Sequence, residues 1–261
     1  MMTALYSAAT GMNAQQTNLD VISNNLANVD TNGFKKSRAD FQDLVYQTKI
    51  APGSSTGDQN RNPTGLQIGT GVQTVGTKKL FSQGNFKDTG NPLDIAIEGD
   101  GFFQIQRPDG TIAYTRNGSF NMDAEGNIVS ADGYYLSPQI NVPNNAENIS
   151  ISKDGIVTGN IGDATQQFGR ITLANFVNPN GLMNIGNNLY QVSEASGQPI
   201  VQNAGTGNTG TLLQSYLETS NVKIVNEMVD MIAAQRAYEI NTKTINTADS
   251  MLQAANNLKR G

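Results

Sequence analysis

Residues 1–29 read MMTALYSAATGMNAQQTNLDVISNNLANV, and the spacing of their apolar side chains decides the fold. Leu5, Met12, Leu19 and Leu26 recur at steps of seven. Ala8, Ile22 and Val29 form a second line, with Gln15 in its remaining place. No Pro interrupts the run, and Gly11 is its only glycine. A seven-residue repeat kept up over this length predicts a helix lying in a coiled-coil seam. The other end of the chain repeats the pattern: Ile224, Met231, Tyr238, Ile245 and Leu252 also fall seven apart, with Ala234, Ala248 and Ala255 beside them. From Val222 to Leu258 there is neither Gly nor Pro, and Thr219, Ser220 and Asn221 supply candidate N-caps. One amphipathic helix is as readily explained by an internal core. The same period at both ends favours two halves of one bundle. A helix of about 30 residues spans roughly 45 Å and needs something long to lie against.

Between the helices the character changes. Residues 50–76 are dominated by Gly, Ser, Thr, Asn and Gln and read as extended or irregular chain. From about residue 92 to 205 the period becomes two. Leu93, Ile95 and Ile97 alternate with Asp94, Ala96 and Glu98, which places Asp94 and Glu98 on a solvated face. Phe103 and Ile105 are expected to face Ile112 and Tyr114 across the turn Pro108-Asp109-Gly110. Further turns at Asn117-Gly118, Glu125-Gly126, Asp132-Gly133, Asp154-Gly155 and Asn180-Gly181 predict a small all-β domain. The expected class is therefore α+β. N- and C-terminal coiled-coil helices pair with each other, and an extended linker and an all-β domain are inserted between them. The expected divisions are 1–30 with 218–261 for the paired helices, 31–80 for the linker, with an insertion at 46–65, and 81–217 for the mainly β domain.

Composition narrows the function. The 261 residues carry 17 Lys and Arg against 22 Asp and Glu, with no Cys, His or Trp. That excludes a His-based triad, a thiol nucleophile, an ordinary zinc site and a disulfide framework. An acidic chain with no long basic run is a poor nucleic-acid binder. Charged residues are only 15%, and about one residue in eight is Asn, so the surface repels its neighbours weakly and can hydrogen-bond to them. That suits a subunit covered on many sides in an assembly. The first Lys is Lys35, so residues 1–12 do not form a cleavable secretory signal. No run of 18 apolar residues predicts a membrane-spanning helix. Cytosolic residence and export without a cleaved signal both remain open on these grounds.

Candidate chemical sites reduce to local structure. Asp123-Ala-Glu125-Gly-Asn127 alternates oxygen ligands, but it lacks the sixth-position Gly and the twelfth-position Glu of a calcium loop. A turn at Gly126 is the better reading. Gly99-Asp100-Gly101 has no third Gly at nucleotide-fingerprint spacing. Lys35, Lys36 and Arg38 form the one basic cluster and read as a solvated face or a partner contact. No catalytic, cofactor-binding or metal residue is assigned.

The distinctive stretch is the helix exit, Ser23-Asn24-Asn25-Leu26-Ala27-Asn28-Val29-Asp30-Thr31-Asn32-Gly33-Phe34-Lys35. Asn28 and Gly33 tolerate left-handed backbone, and Asp30 and Thr31 can bond nearby amides. This run resembles the N-terminal signature of the axial proteins of the bacterial flagellum, the rod, hook and hook-cap-related subunits. The matching positions are Asn24, Asn25, Leu26, Ala27, Asn28, Thr31, Gly33, Phe34 and Lys35. The resemblance continues through Ile95–Phe103 and Tyr114-Thr-Arg116-Asn117-Gly118-Ser119-Phe120. It ends in Glu218-Thr219-Ser220-Asn221-Val222 and Gln235-Arg236-Ala237-Tyr238-Glu239. Chain length and the Pro/Gly/Ser-rich stretch at 46–65, followed by Leu66–Val72, are similar to subunits of the distal rod. Proximal rod and hook subunits are the alternatives within the family. A surface adhesin or binding module with coiled-coil ends is the alternative outside it.

The resemblance implies that the terminal helices pair around a central export channel and that the β domain forms an outer shell. The seam Leu5, Met12, Leu19, Ile22 and Leu26 is then expected to meet Ile224, Met231, Tyr238, Ile245 and Leu252, with both termini mobile until assembly. The implied function is a rigid hollow helical shaft that transmits torque from motor to hook. The implied partners are copies of itself, proximal rod subunits, hook or junction subunits, the surrounding ring bushings and the flagellar export apparatus. Neither nucleic acid nor a small-molecule substrate is among them. The implied location is the basal body, across the periplasm, reached without a cleaved signal peptide.

Overall fold

The computed structural model describes residues 2–53, 63–162 and 164–258. Residues 54–62 of the 46–65 stretch lie outside the described residues, as does Gly261. The described chain is α+β: an N-terminal helix α1 (Met2–Ala27), a β-rich middle and a C-terminal helix α2 (Ile224–Leu258). It groups into two compact units. The first comprises 1–26, 37–78 and 223–261, and the second 27–36 and 79–222.

In the first unit, β1 (Ser37–Asp43) pairs with β4 (Val72–Lys79), and β2 (Tyr46–Ile50) pairs antiparallel with β3 (Leu66–Gly69). The 50–76 region expected to be extended or irregular thus contains strands, and they are exposed ones: Leu66 is 48% and Val75 61% accessible. Helix contacts run in opposite senses along the two helices. Asn25 bonds Glu227, the Thr242 hydroxyl meets the Met12 sulfur at 3.4 Å, and a Cβ placed on Gly11 would lie 3.0 Å from Asn241 Nδ2. Residue numbers rise on α1 as they fall on α2, so the contacts are antiparallel. On α1 the buried apolar residues are Ala8, Ala14 and Ile22, while Leu5, Met12, Leu19 and Leu26 are half-buried. On α2, Ala234 and Ala248 are buried and Met231, Ile245 and Leu252 half-buried; Ile224 and Tyr238 are exposed.

The second unit holds the remaining strands. These are β5 (Phe86–Asp88), β6 (Ile95–Glu98), β7 (Phe102–Gln106), β8 (Ile112–Thr115), β9 (Phe120–Met122), β10 (Ile128–Ser130), β11 (Tyr135–Ser137) and β12 (Glu147–Ile151). They continue with β13 (Ile156–Ile161), β14 (Ala164–Arg170), β15 (Thr172–Asn175), β16 (Met183–Gly186), β17 (Leu189–Gln191), β18 (Ile200–Asn203), β19 (Thr211–Gln214) and β20 (Tyr216–Glu218). The main sheet runs β16-β17-β8-β7-β11-β10-β9. Strand β15 takes the start of β7 at Phe102 and Phe103, while β11 takes its end, so the sheet forks there. Smaller sheets are β12-β13-β14, β19-β6 and β20-β5.

Strand alternation sends the two faces of β7 to different cores. Phe103 and Ile105 join Ile95, Ile97, Phe120 and Leu136 in the larger one. Phe102 joins Tyr114, Phe176 and Tyr190 in an aromatic cluster whose rings meet edge-to-face. The β7–β8 hairpin forms, but its register is one residue from expectation: Ile105 pairs with Ala113, and Gln104 with Tyr114. The loop closes from Arg107 to Thr111 through Gly110 at φ +79°, and the added residue moves every β8 side chain to the opposite face. Ala113 therefore joins the larger core and Tyr114 enters the aromatic cluster, while Ile112, on the face of Tyr114 but at the start of the strand, is exposed. Asp94 is buried, not solvated, and accepts a hydrogen bond from Asn91 Nδ2 at 3.2 Å. Asp123 accepts bonds from the backbone N–H groups of Glu125 and Asn127, which makes 123–127 a turn around Gly126.

Candidate functional site

The helix-exit run builds two buried polar nodes. The first lies within the helical unit. Asn25 ends the last full turn of α1 with its amide 2% exposed. Its Oδ1 accepts from the Ser37 N–H and its Nδ2 donates to the Ser37 carbonyl, each at 2.8 Å. The side chain thus pairs with Ser37 as a neighbouring strand does. The same Nδ2 donates to Glu227 Oε2 at 3.1 Å. Only a planar amide carries donor and acceptor in this arrangement, so Asn25 fixes the end of α1, the start of β1 and the first turn of α2 together.

The second node belongs to the β unit. Past α1 the chain turns tightly: Thr31 N–H donates to Asn28 O, and Phe34 N–H to Thr31 O. Gly33 holds φ +70°, and a Cβ there would sit 2.6 Å from Asn117 N, so conformation and space both demand glycine. Phe34 is buried with the Lys79 ammonium 4.6 Å from its ring centroid, a cation–π contact. Lys35 follows, completely buried.

The placement of Lys35 corrects the expectation of a solvated basic face. Its Nζ donates to Glu218 Oε1 at 2.5 Å and to Ser82 O at 2.8 Å. Glu218 Oε1 also accepts from the Gly84 N–H at 2.9 Å. Arg116, with 3% of its side chain exposed, brings Nε to 3.5 Å from Glu218 Oε2 and donates from Nη2 to Gly99 O at 2.8 Å. Arg116 Nη1 and Glu218 Oε2 make no hydrogen bond. Burial lowers the pKa of Lys35, against the pull of Glu218. Burial likewise lowers that of Arg116, opposed by Glu218 and then by Asp100. Tyr190 is pushed well above the usual phenol range by the same desolvation.

Asn221, expected as a helix cap, is spent nearby. Its Oδ1 accepts from the Lys36 N–H, and its Nδ2 donates to Leu80 O and Ser82. Four separated motifs therefore converge on one buried node: Lys35 from the exit run, Gly99 and Phe102 from the Ile95–Phe103 block, Arg116 from the Tyr114–Phe120 block, and Glu218 from the block before α2.

The comparisons with known proteins follow the same divisions. Residues 5–35 match the family described as flagella basal body rod protein. Residues 96–159 match the flagellar hook protein FlgE/F/G D1 domain, and 213–258 the flagellar basal body rod FlgEFG protein C-terminal family. The flagellar basal-body rod protein FlgG of Buchnera aphidicola subsp. Baizongia pistaciae is 54% identical over 97% of this chain and 98% of its own. Proteins of the same name from Borreliella burgdorferi and Bacillus subtilis are 48% and 45% identical, each over 100% of both chains.

The chain belongs to the flagellar rod and hook family.

In this family member the exit-run residues Asn25, Gly33, Phe34 and Lys35 are buried, Leu26, Asn28 and Thr31 are half-buried, and Asn24 and Ala27 are exposed. Sequence reasoning missed Arg116, Glu218 and Glu227 as members of buried nodes. A usable signal was present: in a chain with so few charges, Arg116 and Glu218 sit inside motif blocks and not in turns. The fifth motif block, 235–239, lies on α2, where Arg236 pairs with Glu239 at 3.0 Å on the exposed surface. Among the described residues, no cluster of acidic side chains could hold a metal ion, and no helix is long and apolar enough to cross a membrane.

Proposed function

We propose that the chain is a structural subunit of the distal rod of the flagellar basal body, self-assembling into a rigid hollow shaft that carries torque towards the hook and encloses part of the export channel. One observation carries this. Besides the line that meets α1, helix α2 has a second apolar line open to solvent: Val225 at 73%, Met228 at 50%, Val229 at 59%, Ile232 at 55%, Ile240 at 65% and Met251 at 57% exposure. Burying such a face is favourable by about 25 cal/mol per Å² of apolar area, and a lone molecule forgoes that gain. Copies that bury it against one another through unlike surfaces extend as a helical filament.

The antiparallel contacts Gly11–Asn241, Met12–Thr242 and Asn25–Glu227 support coiled-coil pairing of the two ends. In the assembled form the terminal helices make the axial layer, 31–80 the linker, and 81–217 the outer domain. The seam residues Leu5, Met12, Leu19, Ile22 and Leu26 work with Ile224, Met231, Tyr238, Ile245 and Leu252. The 46–76 stretch, which carries the exposed β2–β3 pair, wedges against neighbouring copies and limits bending. Partners are further copies of the chain, proximal rod subunits, hook or junction subunits, the rings around the rod and the export apparatus that delivers it without a cleaved signal.

Electron microscopy of the purified protein tests the proposal. Tubes of constant diameter are expected. Val229→Asp with Ile232→Asp should abolish them while leaving the thermal transition of the β unit in place; tubes that persist in this double variant refute the role given to α2. Excising 46–65 should leave assembly intact but give curved or more flexible tubes, and straight ones refute the wedge.

A further inference from the structure

A cleft of about 260 Å³ opens on the surface of the β unit, beside Arg116. Phe81, Phe102 and Phe176 wall it, and Val177, 83% exposed, stands on its rim. Asp100, also exposed, lies at the mouth. The guanidinium stacks 5.8 Å from the Phe102 centroid. Its Nη2 and Nε are committed to Gly99 O and towards Glu218, whereas Nη1 makes no hydrogen bond although it is screened from water. In this node Lys35 and Arg116 are two buried cations against one buried carboxylate, Glu218, with the exposed Asp100 near enough to attract both.

We propose that this cleft is a carboxylate-binding site for an acidic side chain of a second copy of the chain. Apolar walls around one deep guanidinium suit a single carboxylate on an apolar stem. They do not suit a multiply charged free anion, which Asp100 at the mouth repels. The cleft is several times the roughly 30 Å³ share of one water, so it holds a side chain. The acidic chain carries more carboxylates than cations, 22 Asp and Glu against 17 Lys and Arg, and Val177 is an aliphatic rim that a neighbour covers on docking. The guanidinium edge reaches the incoming group by rocking away from Glu218 Oε2, already 3.5 Å from Nε. Arg–carboxylate pairing then satisfies the unused N–H.

The choice of occupant rests on the polymer reading above; the carboxylate selectivity does not. Two experiments on the full chain separate them. The first titrates the monomer with benzoate and with benzamide while following the Arg116 side-chain and Val177 methyl resonances. Saturable shifts with benzoate are expected, about tenfold weaker with benzamide. The Asp100→Asn variant should bind benzoate more tightly. Equal response to the two probes, or none to either, overturns the site. The second places the photo-cross-linker p-benzoyl-phenylalanine at position 177 and irradiates assembled protein. Cross-linked peptides carrying Asp or Glu from a second copy are expected. Cross-links to peptides without them, or none, overturn the occupant. Benzoate binding by a protein that never polymerises overturns both the occupant and the polymer reading, and leaves the carboxylate site standing.

Discussion

At the scale of single residues, the two buried nodes are where substitution costs most. Glu218→Ala strands two buried cations, and removing one partner of a buried ion pair typically costs about 3–5 kcal/mol. Urea unfolding of the β unit should show a loss of that size, with Glu218→Gln losing less because its amide oxygen still accepts from Lys35 and Gly84. Asn25→Ala deletes three hydrogen bonds and leaves the Ser37 amide and carbonyl in need of new partners, an expected loss of about 2–4 kcal/mol in the helical unit. Lys35 also carries a pH signature. Burial holds its pKa below the ordinary 10.5, so between those values the unfolded chain keeps a proton that the folded chain has shed. Lys35 therefore adds stability as pH rises towards the unfolded value. Comparing urea midpoints at about pH 8 and about pH 10 in the natural protein and in Lys35→Met checks the sign. The natural protein should gain relative to the variant, and parallel behaviour sinks the assignment. The exit run was legible as a special turn, with Gly33 at its left-handed position. Where Lys35 points was not, because its counter-ion lies 183 residues away and nothing local marks a buried lysine.

At the scale of elements, the seven-residue spacing located both helices to within a few residues, but the residues that bury most in one chain are Ala8, Ala14, Ala234 and Ala248 alongside Ile22. Small side chains let helix backbones approach closely, whereas Ile224 and Tyr238 on the counted stripe remain exposed. Periodicity reports that a face is apolar and not which neighbour covers it. The second line on α2, from Val225 to Met251, escaped notice for the same reason. Ala234→Leu should overpack this approach and lower helical-unit stability by about 1–3 kcal/mol, measured as loss of helical ellipticity at a lower temperature. The β7–β8 hairpin shows the complementary limit. Its turn was legible from Pro108-Asp109-Gly110, yet one extra loop residue, invisible in the alternation itself, put Ala113, and not Ile112 and Tyr114, on the face of Phe103 and Ile105.

At the scale of the whole molecule, the order of helix, β-rich middle and helix was readable from the change of period along the chain, and the family from motif blocks in sequence. The compact units divide the chain in a way that periodicity does not mark, since residues 27–36 and 218–222 group with the β unit although they adjoin the helices. Truncation after Val222 tests that grouping. It keeps Glu218 and the whole of the second unit, so a protein ending there should retain its strand signal and near-native melting temperature while losing assembly. Collapse of the β signal would show that the units are not separable.

The Lys35–Glu218 pair also sets a timetable. A chain that emerges N-terminus first, from a ribosome or a narrow conduit, presents its buried lysine early and its carboxylate only when nearly complete. Until then the ammonium lacks the carboxylate that binds it in the finished protein and prefers water, so the interior around it stays open. Closure waits for the tail of the message, and a product cut short anywhere before residue 218 keeps a lysine without the carboxylate that holds it in the finished interior.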